Sequence, residues 1–100
     1  MELKPGLRLK STADTTELMI VRAAGGDVDL RCGGAPVAPM GDAAEAPLDP
    51  DFSGGTQIGK RYADEESGLE VLVTKAGPGS LSIGTNALAE KGAKALPSSD

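Results

Sequence analysis

The chain has no histidine and no tryptophan, and its 100 residues include only one phenylalanine, one tyrosine and one cysteine. Without an imidazole there is no Ser-His-Asp or Cys-His couple, no His-ligated zinc, and no side chain that titrates unaided near neutral pH. With Cys32 alone, no disulfide forms within the chain, so folding proceeds without a covalent staple. Phe52 and Tyr62 are the only aromatics, and any core has to be aliphatic. No apolar run approaches the ~18 residues that span a bilayer, so no membrane partner is expected. The start, Met1-Glu2-Leu3-Lys4-Pro5, is not the basic-then-apolar pattern of a secretory signal, and a cytoplasmic protein is expected.

Positive charge is also in short supply. Ten basic residues against fifteen acidic ones give a formal net charge of −5, which lacks the positive field that attracts phosphate backbones. Nucleic acid is not expected as a partner. Fourteen glycines and seven prolines stop just short of the composition of a wholly disordered chain. A single domain over residues 1–100 is expected, with an ordered core and looser stretches around it.

What the chain does contain is an internal repeat. Gly6-Leu7-Arg8-Leu9 aligns with Gly59-Lys60-Arg61-Tyr62, and at the same offset of 53 Glu17-Leu18-Met19-Ile20-Val21-Arg22-Ala23 meets Glu70-Val71-Leu72-Val73-Thr74-Lys75-Ala76. Beyond a glycine-rich turn the offset becomes 51, and Cys32-Gly33-Gly34-Ala35-Pro36-Val37 faces Ile83-Gly84-Thr85-Asn86-Ala87-Leu88. The two extra residues fall within 24–29, a turn, where a change of length costs least. We read this as a duplication spanning residues 6–37 and 59–88.

Each copy reads as strand, turn, strand. Leu69, Val71 and Val73 alternate with Glu70, Leu72 and Thr74, the period of a half-buried strand. Leu18-Met19-Ile20-Val21 is continuously apolar and points to a strand covered on both faces. Gly25-Gly26 and Gly77-Pro78-Gly79 supply reversals, and shorter strands follow over 28–31 and 80–83. The expected fold is all-β: two β-hairpin units in a small sandwich or open barrel, packed around Leu18, Ile20, Leu30, Val71, Val73 and Leu81.

Between the copies lies an acidic linker, residues 38–58. From 38 to 55 it carries Asp42, Glu45, Asp49 and Asp51 and no basic residue, with Pro39, Pro47 and Pro50. It offers little apolar surface against an ordering cost of roughly 1–2 kcal/mol per residue, so it reads as flexible or peripherally draped. Leu48 and Phe52, its large apolar groups after Met40, are candidates to pin it to the domain or to a partner. Tyr62 joins them as a candidate interaction residue. The tail, residues 89–100, admits a short helical turn over 90–96 that Gly92 weakens.

The frame Tyr62-Ala63-Asp64-Glu65-Glu66-Ser67-Gly68-Leu69-Glu70-Val71, followed by Ala76-Gly77-Pro78-Gly79-Ser80-Leu81-Ser82-Ile83-Gly84, resembles the metal knuckles of desulforedoxin-like and rubredoxin-like proteins. Leu30-Arg31-Cys32-Gly33-Gly34-Ala35-Pro36-Val37 keeps the end of that pattern better. The resemblance covers about two thirds of the chain and implies a Cys-x-x-Cys-Gly knuckle and a second cysteine pair around iron or zinc. Here the ligand positions hold Asp64, Ser67, Ser82 and Ile83 in the second copy, and Ser11, Asp14, Arg31 and Cys32 in the first. One thiolate beside an arginine does not make a four-sulfur tetrahedral site. The resemblance therefore implies a scaffold that has lost its metal, with Cys32, Asp14, Asp64 and Ser67 as remnants. In that family two chains associate, so a homodimer is a further expectation, and the tandem repeat is the alternative that places both halves in one chain.

No other residues form a strong site. Cys32 reads as a small buried group at a strand end, with a redox-sensitive thiol next to Arg31 as the alternative. Asp64-Glu65-Glu66 lacks the alternate spacing and glycine of an EF-hand and reads as a solvated turn. Gly77-Pro78-Gly79-Ser80 lacks the lysine of a phosphate loop. The expected function is that of a non-catalytic interaction protein, an accessory subunit docking on a larger enzyme, without cofactor. The alternative is a metal-binding or electron-transfer protein with an altered iron or zinc site. An enzyme using Cys32 as nucleophile ranks last, since no base for it can be named.

Overall fold

The computed structural model describes residues 3–23, 27–42 and 45–91. Every regular element but one in these residues is a strand. In the first half the strands are β1 (Arg8–Lys10), β2 (Glu17–Arg22), β3 (Leu30–Cys32), β4 (Ala35–Pro36) and β5 (Ala38–Pro39). In the second half they are β6 (Arg61–Ala63), β7 (Glu70–Lys75), β8 (Leu81–Ile83), β9 (Asn86–Ala87) and β10 (Ala89–Lys91). The exception is a single 3-10 turn over Pro50–Phe52, capped by the Asp49 carboxylate, which accepts from the Asp51 amide.

The strands form two open antiparallel sheets, of order β10-β6-β7-β2-β1-β5 and β4-β3-β8-β9. The halves correspond strand for strand. Leu9 opposite Leu18 in β1/β2 has its counterpart in Tyr62 opposite Val71 in β6/β7. Arg31 opposite Pro36 corresponds to Ser82 opposite Ala87. Single hydrogen bonds follow the same shifts: the Gly6 amide donates to the Ile20 carbonyl as the Gly59 amide does to Val73, and Val37 donates to Leu30 as Leu88 does to Leu81. The halves meet at β2/β7 and β3/β8, where Met19 faces Leu72 and Arg31 faces Ser82. Exchange of the halves maps each of these pairs onto itself, so a pseudo-twofold axis runs through both sheets.

The core lies between the sheets. It comprises the six residues expected from the sequence, joined by Leu3, Leu9, Cys32, Val37, Leu69 and Leu88. Alternation explains the selection in the large sheet, because Leu18 and Ile20 of β2, like Val71 and Val73 of β7, point to one face. This corrects the reading of β2 as covered on both faces. Met19 and Val21 are only half-buried, because they alternate with Leu18 and Ile20, which point to the core.

The segment between the halves is tied to both of them, to the first at most points. Pro39 and Ala38 pair with Leu9 and Lys10, Ala46 donates to Thr12, Asp49 donates to Gly33, and the Phe52 carbonyl accepts from Ser80. These bonds use main-chain groups, which side-chain composition does not reveal. At the other end, residues 89–91 form strand β10 against β6 in place of the start of a helical turn. The free edge of β6 decides that outcome, because it satisfies the β10 backbone in a way an isolated turn would not. The rest of the expected turn, and the Gly25-Gly26 reversal, lie outside the described residues.

Candidate functional site

Of the positions that the family resemblance marks as ligands, Arg31, Cys32, Ser82 and Ile83 lie on β3 and β8, and the other four fall into two turns. The first, between β1 and β2, carries Ser11 and Asp14. The second, between β6 and β7, carries Asp64 and Ser67. Because β2 and β7 are antiparallel, with Glu17 opposite Lys75 and Arg22 opposite Glu70, the two turns lie at opposite ends of the sheet. Five residues of strand separate them by roughly 17 Å. Asp14 and Cys32 therefore come together, Asp64 and Ser67 come together, and the two pairs remain apart.

In the first turn the Ser11 hydroxyl accepts from the amides of Ala13 and Asp14, at 3.0 and 3.1 Å. This Ser-centred turn bends the chain so that the Asp14 carboxylate points back toward the domain. There it accepts from the Gly79 amide, from the Thr16 hydroxyl at 2.8 Å and from the Thr16 amide at 3.3 Å. The Cys32 thiol donates at 3.7 Å to Oδ1, the oxygen that also accepts the Thr16 amide. Thr56, from the segment between the halves, completes the cluster: its hydroxyl lies 3.2 Å from that of Thr16 and accepts from the Gly77 amide at 3.1 Å.

This network explains the glycines of the 77–79 turn. A Cβ on Gly77 would stand 2.5 Å from an Asp14 carboxylate oxygen and 2.6 Å from the Thr16 hydroxyl. One on Gly79 would meet the Gly33 backbone at 2.9 Å. Only a residue without a side chain lets the backbone approach the carboxylate this closely. The sequence shows the glycines but not Asp14 as their partner, 65 positions from Gly79.

The electrostatics follow from the same contacts. Burial raises the pKa of Asp14, but hydrogen bonds from Ser11, Gly79 and Thr16 outweigh it and hold the carboxyl below its ordinary value of 3.8. Cys32 is moved the other way. Burial first, and then the negative charge of Asp14, push its thiol up to about 11. At neutral pH it is a protonated, fully buried group whose proton is directed at a carboxylate. A thiolate ligand or nucleophile requires the opposite, a lowered pKa and access. The structure thus matches the buried reading of Cys32 over the reactive one.

The second turn is simpler. The Asp64 carboxylate accepts from the Ser67 amide at 3.0 Å, and the Ser67 hydroxyl accepts from Leu69 at 3.2 Å. Both side chains are spent on the turn. Beside it a groove of about 300 Å³ is bordered by Arg22, Asp64, Glu65, Glu70 and Glu90. No group of three or more metal-capable side chains converges anywhere among the described residues. The donor sets present therefore do not fit the iron or zinc that the resemblance implies.

The candidate interaction residues are dispersed. Leu48 is half-buried over Gly33, where a Cβ would approach its terminal carbon to 2.8 Å. It fastens the strap formed by residues 45–56. Phe52, also half-buried, closes the 3-10 turn whose carbonyl receives Ser80. Tyr62 packs against the core, and its hydroxyl accepts from the Gln57 amide at 3.1 Å. Among the described residues the large apolar side chains left exposed are Met40 and Ile58, which the sequence reading did not single out. No helix among the described residues is long and apolar enough to cross a membrane. No protein-family model, curated protein or solved structure matches the chain.

Proposed function

We propose that the chain is a non-catalytic binding module: a duplicated scaffold of desulforedoxin-like type whose metal position has become a structural hydrogen-bond network, acting as an accessory subunit of a larger protein in the cytoplasm. The observation that carries the reading is the occupancy of Asp14. Its oxygens take up the Gly79 amide, both polar groups of Thr16 and the Cys32 thiol. A cation there would have to displace four donors and deprotonate a thiol whose pKa is about 11. The same network joins the first turn, the strap and the turn of the second half, which accounts for the retention of these polar residues without a metal.

Native mass spectrometry of untagged protein from its source tests the proposal. A metal-free chain of 10.1 kDa bound to a partner subunit in fixed ratio is the expected result. One equivalent of iron or zinc on the chain would overturn it and favour an electron-transfer role.

A further inference from the structure

The net charge of −5 conceals a segregation of charge. Since Leu9, Leu18, Ile20, Val71 and Val73 face the core, the alternate residues Arg8, Lys10, Met19 and Leu72 face away from it. The register shifts at the ends of β2 bring Glu17 opposite Lys75 and Arg22 opposite Glu70 on that same outer side. Across the pseudo-twofold axis runs one row, Arg8, Met19, Leu72, Arg61. Met19 and Leu72 are half-buried, and Arg8, Arg22, Arg61 and Lys75 are exposed.

The outer face thus carries Arg8, Lys10, Arg22, Arg61 and Lys75, with Glu17 and Glu70 among them and Asp64, Glu65 and Glu90 bordering the groove beside Arg22. Asp29 and Asp49 lie by the smaller sheet, beside Arg31 and Gly34. Glu70 is buried and pairs with Arg61 at 3.5 Å. Arg8, Lys10, Arg22 and Lys75 form no ion pair among the described residues. An apolar centre within a charged, accessible rim is the anatomy of a protein interface.

We propose that the outer face of the six-stranded sheet docks an acidic protein surface, with apolar side chains of the partner on Met19 and Leu72 and carboxylates around them. This rests on the reading of the chain as a binding module and names the chemistry of its partner. A protein is favoured over a nucleic acid by the chemistry of the face. Its centre, Met19 and Leu72, is aliphatic, and it offers no aromatic ring on which a base could stack.

The probe is a synthetic glutamate-rich peptide carrying leucines, titrated into the isotopically labelled full chain and followed by NMR. A DNA duplex serves as the second arm. The expected result is amide shifts centred on Arg8, Met19, Arg61 and Leu72, abolished by high salt. The double variant Arg8→Glu/Lys75→Glu, both sites exposed and without an ion pair among the described residues, should weaken binding about tenfold or more. Glu66→Gln, on the far turn, should leave it intact. An unchanged spectrum of the free double variant establishes that it folds. Absence of binding, shifts confined to the β3/β8 sheet, or duplex binding to the face as tight as that of the peptide would overturn the proposal. These outcomes are independent of metal content, so a bound iron or zinc refutes the binding-module reading without deciding the face, and the reverse also holds.

Discussion

Replacing Asp14 with alanine removes the acceptor for the Gly79 amide, both polar groups of Thr16 and the Cys32 thiol in one step. A hydrogen bond to a charged acceptor contributes about 1.5–3 kcal/mol, and a donor left buried and unpaired costs about 1–3 kcal/mol. These figures do not add here. Asp14 is only half-buried, so water reaches part of the cluster and replaces some of what is lost. We expect Asp14→Ala to cost about 2–3 kcal/mol, which for a domain of this size lowers Tm by roughly 10–20 °C. Urea denaturation at pH 7 measures it. Asp14→Asn, of the same shape but uncharged, should lose less, and its deficit should depend on pH. The folded carboxyl titrates below 3.8, so the stability due to its charge is present above that pH and disappears as pH falls through the lower folded value. The gap between wild type and Asp14→Asn therefore narrows in strong acid. A loss below about 0.5 kcal/mol for Asp14→Ala, or a gap that widens on acidification, would refute the claim that this carboxylate organises the turn.

Gly33 and Gly84 occupy corresponding positions with φ of 67° and 61°, so alanine at either adds the left-handed strain of about 1–2 kcal/mol per residue. Only Gly33 lies beneath the strap, with Leu48 at 2.8 Å from a Cβ, whereas Gly84 has open space. Gly33→Ala should therefore destabilise by about 1 kcal/mol more than Gly84→Ala and speed proteolysis within 45–56, and equal effects would show that the strap does not rest there. Gly79→Ala, driven into the Gly33 backbone at 2.9 Å, should cost about 3 kcal/mol in thermal denaturation. Cys32 should resist iodoacetamide at pH 8 in the native protein and react at once in denaturant, because its pKa of about 11 leaves almost no thiolate; native reactivity like that of a free thiol would contradict its burial.

Much of the hairpin architecture was legible because alternation acts locally. Leu69, Val71 and Val73 declare their face within one strand, and the glycines that interrupt the apolar runs mark where strands end. The offset of 53 becoming 51 locates the length change in a turn, and the β-pairings shift by those same amounts. What could not be read is what depends on the other sheet or on main-chain atoms. Met19 and Val21 look like core by hydropathy, and only the position of the second sheet places them outside. The strap is bound through amides of Ala46 and Asp49, for which acidic and proline-rich composition carries no signal. At the candidate site, Asp14 and Cys32 lie together and apart from Asp64 and Ser67, and the donors that saturate Asp14 come from Thr16 and Gly79, two and 65 positions away.

The proposal that the Asp14–Cys32 cluster is closed to metal can be tested with cobalt(II), a spectroscopic stand-in for zinc or iron. Titration of the reduced, folded chain, followed by thiolate-to-metal charge-transfer absorption, should give no band at one equivalent. A band that saturates at one equivalent and disappears in Cys32→Ser would mean that Cys32 is a ligand and that the site is still a metal centre.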